Sequence, residues 1–150
     1  MNSTLGLAAI AIIGGCAVAL QGQFMGMMDR KIGTSGSLFI NYLSGFLIAS
    51  LVLFLTQSDN LKNISQIPWY AFTVGLLGLI IAGSIGYSVP RIGLSTTLTI
   101  IVASQFIVAM ILEHYGIFSD VRKPVDPWRL SGACGLIISV WLLTNNTISK

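Results

Sequence analysis

The feature that most constrains this chain is where its charges are missing. No Lys, Arg, Asp or Glu precedes Asp29, and the run before it is predominantly apolar. Such a segment has no polar face to give to water. It does have the length and character needed to cross a hydrocarbon core about 30 Å thick, which takes about 20 apolar residues at 1.5 Å each. The pattern recurs along the whole sequence. Only 9% of the 150 residues are charged and 54% are hydrophobic, and the mean hydropathy is +0.84. These values exclude an ordinary soluble domain.

The expected architecture is therefore an all-α integral membrane protein. It is read as a single domain over residues 1–150 with five transmembrane helices, 5–27, 36–55, 69–89, 94–112 and 128–143. The breaks carry turn and polar chemistry, as in Asp29-Arg30-Lys31-Ile32-Gly33 and Pro90-Arg91-Ile92-Gly93. Trp69, Trp128 and Trp141 stand at span ends, where an aromatic belt meets the headgroups. The N-terminus lacks the basic flank of a secretory signal, so its apolar run reads as a retained helix. Ile13-Gly14-Gly15-Cys16 imitates a lipoprotein box, but apolar residues continue past it. Cys16 and Cys134 lie inside expected spans as small fillers and imply no disulfide. Small residues at helix-face spacing (Gly15, Ala19, Gly22 and Gly26; Gly78, Ala82 and Gly86; Ser131, Gly135 and Ser139) predict close helix packing.

Five spans place the termini on opposite sides. Lys62, Arg122, Lys123 and Arg129 then share one side, and Arg30, Lys31, Arg91 and Lys150 the other, four against four. Orientation follows the Lys/Arg bias of short loops, so a balanced chain is expected to insert both ways and pair with an inverted copy. The alternative weights the distal Lys150 and the helix-mouth Arg129 differently and restores a weak bias.

Few polar side chains fall inside the spans. Gln105 lies near the bilayer midplane, where an amide without partners costs several kcal/mol. Gln21, Gln23 and Asn41, with Thr96, Thr97 and Thr99, occupy one half of the membrane and form a candidate polar cavity. Gln21 and Gln23 face opposite ways, since two residues turn a helix by about 200°, so at most one lines it. The competing reading makes these groups interhelical hydrogen-bond glue. Glu113 and His114 end the fourth span. They read either as an ion-coupling pair or as a helix end at the headgroups, with Glu113 paired to Arg122, Lys123 or Arg129. No catalytic motif, metal cluster, cofactor loop or nucleic-acid patch occurs in the sequence, so an enzyme is not expected.

The second half resembles the YdcZ-type family of the drug/metabolite transporter superfamily. The residues that carry the likeness are Trp69-Tyr70, Gly75-Leu76-Leu77-Gly78, Pro90-Arg91-Ile92-Gly93, Ser104-Gln105, Glu113-His114-Tyr115-Gly116 and Trp128-Arg129-Leu130-Ser131-Gly132. Gln21 matches a glutamine that the family carries near the end of its first helix. The resemblance implies a five-helix half-transporter in the plasma or inner membrane. It would export a small molecule by alternating access, as an antiparallel dimer with a second copy or a close paralogue, with its site at the dimer interface. Gln105, Gln21, Asn41, Thr97 and Ser104 are the candidate substrate-binding residues, and Glu113 and His114 the candidates for proton or ion coupling. Two positions depart from the family pattern: Ser104 stands where Gly is usual, and Glu113 where Asp is usual. The first helix also has no glutamate, so the proton antiport of the small multidrug exporters does not carry over. A non-transporting subunit that packs against a larger membrane partner is the rival expectation.

Overall fold

A computed structural model describes residues 2–56, 64–117 and 124–148. The chain is all-α: α1 spans Asn2–Thr56, a 3-10 turn Trp69–Thr73 leads into α2 (Val74–Ile92), and α3 (Leu94–Tyr115) and α4 (Pro127–Ile148) follow. Among the described residues, four helices are long and apolar enough to cross a membrane. The protein is a multi-pass membrane protein of the plasma or inner membrane.

The expectation of five separate helices is corrected by α1. Residues 29–32, read as a loop, stay helical, because Arg and Lys are good helix formers. Only Gly33 leaves the helical region, with φ 74° and ψ 169°. That combination is essentially confined to glycine, since a Cβ would clash with the backbone. One residue thus does the work assigned to a loop. A straight helix of 55 residues would run about 80 Å, far beyond the hydrocarbon core. Instead the two arms lie side by side. Gln21 and Asn41, 20 residues apart, join side chains at 2.8 Å, where a straight helix would separate them by about 30 Å.

The chain forms two compact units, Met1–Arg91 and Ile92–Lys150. In the first, both arms of α1 pack against α2 around Met25, Ser37, Ala82, Ile85 and Val89, all buried. Glycines set how near the backbones come. A Cβ on Gly26 would stand 2.7 Å from Val89 Cγ1, and one on Gly86 would stand 3.3 Å from Met25 Cε and 3.5 Å from Ser37 Oγ. These contacts are those expected of small-residue faces in lipid, where close approach replaces hydrophobic drive.

In the second unit α3 packs on α4. Gly116, left-handed at φ 67°, ends α3, and Ile117 N–H returns to the Leu112 carbonyl at 3.0 Å in a Schellman closure. Asp126 caps α4 by accepting from Arg129 N–H at 2.7 Å, with Pro127 in the first helical position, where its missing donor costs nothing. The glycine face of α4 is different from that of α2: a Cβ on Gly135 would meet nothing within 4 Å. Cys16 and Cys134 are free and exposed, so they sit on the surface and fill no gap. All three tryptophans are exposed as well, which suits side chains that anchor at headgroup level.

Two stability comparisons follow. Gly33→Ala is expected to lose about 1–3 kcal/mol because it forces a Cβ into the glycine-only region, read as a lower midpoint in a thermal detergent-extract assay. Gly26→Ala should lose a similar amount by overpacking against the stiff Val89 side chain, whereas Gly135→Ala should leave the midpoint in place. Equal midpoints for Gly26→Ala and Gly135→Ala would show that the first contact does not hold the fold.

Candidate functional site

The reversal at Gly33 creates a polar contact between the arms that falls within the apolar stretch. Gln21 Nε2 donates to Asn41 Oδ1 at 2.8 Å. The pair borders a groove of about 740 Å³ lined by Tyr42, Phe46, Gly78 and Ile85 among others. It also borders a shallower one of about 380 Å³ that includes Phe24 and Ile40. The larger volume falls in the range of small-molecule sites. Gly78 widens this groove: a Cβ there would stand 2.6 Å from the Tyr42 hydroxyl. Gln21 and Gln23 are both exposed, and of the two it is Gln21 that bonds to Asn41.

The other sequence candidates lie on α3. Thr97 is buried, 2% exposed, and its hydroxyl donates to the Gly93 carbonyl at 2.8 Å. Ser104 donates to the Ile101 carbonyl at 2.9 Å, and Thr99 to that of Ser95 at 2.8 Å. These hydroxyls satisfy their own helix, which leaves them less to offer a solute. Gln105 differs. It is exposed in a helix of apolar character, and such an amide needs water or protein against it, never lipid.

At the far end of α3, Arg129 Nη1 donates to Glu113 Oε2 at 2.6 Å. The pair is partly exposed, with 43% of the Glu113 side chain open. It borders a small pocket with Phe106 and Met110. This is one of the three partners anticipated for a carboxylate that closes a helix at the headgroups. His114 is exposed and stands edge-on to Tyr115, with ring centroids 5.1 Å apart. Arg122 and Lys123, the other anticipated partners, lie outside the described residues.

Sequence reasoning missed Asp29, which it read as part of a turn. Its side chain is 7% exposed and lies 3.3 Å from Arg91 Nη1. It also accepts from the Thr34 hydroxyl, just beyond Gly33. Arg91 donates to the Tyr87 carbonyl and lies 3.5 Å over the Tyr87 ring. One carboxylate therefore joins both sides of the reversal to the end of α2. A signal was present: Asp29 is the sole acid before Asp59, and an acid so isolated next to a hydrocarbon span needs a partner. Among the described residues no group of three or more His, Cys, Asp or Glu is placed to hold a metal ion.

Comparison with known proteins adds an independent finding. Residues 6–142 match the family described as "Putative inner membrane exporter, YdcZ". The Inner membrane protein YdcZ of Escherichia coli (strain K12) is 28% identical over 158 aligned positions, which cover 98% of this chain and 99% of that protein. No solved structure matches the chain.

The two ion pairs should differ in worth. Asp29→Asn removes the charge from a buried, hydrogen-bonded group and is expected to cost about 2 kcal/mol. Glu113→Gln, at a carboxylate that is 43% exposed, should cost less than about 1 kcal/mol. Melting both variants in the same detergent checks the order, and a larger loss at Glu113 would reverse the ranking.

Proposed function

The chain belongs to the YdcZ family of inner membrane proteins, and from that membership we propose that it exports a small molecule by alternating access. The observation that carries the reading is the Gln21–Asn41 amide pair, held at 2.8 Å beside a groove of about 740 Å³. Amides placed among apolar walls orient a solute without trapping it, as a transporter site must. On α3 the candidates are Gln105, its neighbour Ser104 and, earlier in that helix, Thr97. Glu113, with His114 beside it, is the group through which an ion would couple. Its pairing with Arg129 gives that carboxylate a resting partner to exchange.

The working unit in this reading is a pair of copies inserted in opposite senses, with the site at their interface. The four-against-four balance of basic residues supports it. The reversal inside α1 returns the chain toward the side on which it began, which keeps Arg30 and Lys31 together at its tip. The partner is a second copy or a close paralogue. A packing subunit remains the second reading, favoured by the open Gly135 face of α4.

Two experiments separate these readings. The first profiles metabolites exported by cells that make wild-type protein, Gln21→Ala or Gln105→Ala. A transporter loses export of its solute by about tenfold or more in each variant, roughly the 1.4 kcal/mol of one hydrogen bond, with the protein still folded. Unchanged export in both removes these residues from the mechanism. The second introduces Gln105→Cys after Cys16 and Cys134 are replaced by Ala. An aqueous maleimide should label it, and protection from the reagent would favour the packing subunit. Labels on Lys150 should likewise appear on both faces of the membrane in comparable amounts, and a single-sided result would end the dual-insertion argument.

A further inference from the structure

Resting on the transport reading, we propose that the groove between the arms of α1 and α2 takes an uncharged solute that carries both a hydrogen-bond donor and an acceptor on an apolar body. Ions of either sign are excluded. Among the described residues, neither groove beside the amide pair is lined by a carboxylate, an amine, a guanidinium or an imidazole. Among the described residues of this unit, Asp29 and Arg91 face each other at 3.3 Å. Asp29 is moreover about 12 Å along the arm from Gln21. A cation or anion entering the groove would shed its water and find no opposite charge.

The amide pair says what replaces charge. With Gln21 Nε2 donating to Asn41 Oδ1, the Gln21 carbonyl is left as an acceptor and the Asn41 amino group as a donor. Reversing both amides exchanges the two roles and leaves the same offer, an acceptor on one side chain and a donor on the other. A carboxamide, lactam or similar group answers both at once, and a simple ion answers one. The walls receive the rest of the molecule: Tyr42, Phe46 and Ile85 are apolar or aromatic, and Gly78 leaves room beside the Tyr42 ring. The aromatic pair is the one feature that would favour a cation, so a cation must be an arm of the test.

Three isosteric probes decide the matter: 2-naphthamide, the 2-naphthamidinium cation and 2-naphthoate, each titrated against the purified protein in lipid nanodiscs by ligand-observed NMR. The expected result is saturable naphthamide binding at least tenfold tighter than that of either ion, lost in Gln21→Leu and in Asn41→Leu. Gln21→Glu should reverse the order and favour the amidinium, which gives a gain of binding that misfolding cannot imitate. Amidinium binding to the wild type as tight as naphthamide binding overturns the neutral-solute inference and leaves the transport reading standing. Absence of saturable naphthamide binding overturns it too, as does naphthamide binding that survives both leucine variants. The transport reading is judged separately, by the export profiles of the wild-type, Gln21→Ala and Gln105→Ala cells and by the labelling of Gln105→Cys.

Discussion

The structure of the first unit depends on a single backbone conformation, that of Gly33. With φ 74° and ψ 169°, this residue turns one continuous run of helix into two arms that face each other. The Gln21–Asn41 pair and the grooves beside it follow from that turn. Without it, Gln21 and Asn41 would stand far apart on a rod too long for the membrane, and no groove would exist between them and α2. The Asp29 carboxylate holds the turn from both sides through Thr34 and Arg91. A glycine-only conformation is thus secured by a charge-assisted contact whose carboxylate is 7% exposed.

Much of this was legible in the residues, and the part that was not has a physical reason. Hydropathy reports where lipid can be, so the apolar stretches and their tryptophan ends were readable. It does not report whether a break between stretches is loop or helix. Asp29 to Ile32 contains residues that are at home in a helix, and only the final glycine changes direction, so one element replaced two. The small-residue rule was right for Gly26 and Gly86, which touch Val89 and Met25, but it did not say that Gly135 would be open. Spacing alone cannot tell a face that has met its neighbour from one that has not.

The candidate site shows the same division. Opposite helix faces for Gln21 and Gln23 followed from geometry, and the break at Asp29 to Gly33 announced a reversal, but not that Gln21 would be the one to bond to Asn41. Thr97 and Ser104 were attractive as polar groups in apolar surroundings, but short hydroxyl side chains reach their own helix carbonyls first. Amides are longer and cannot do this so readily, which is why Gln21, Asn41 and Gln105 retain the capacity to meet something else. Charge was the least legible property: Asp29 found its partner 62 residues away, whereas Glu113 found one on the adjacent helix, 16 residues on.

The exposed tip of the α1 hairpin has a consequence for how the protein is made. Arg30 and Lys31 stand at the reversal, both exposed, and Arg91, which faces Asp29 in the finished fold, is synthesised 62 residues later. The tip therefore comes off the ribosome with two cations and one acid whose partner is still to be made, and the Asp29–Arg91 contact can lock the reversal only once α2 has been added.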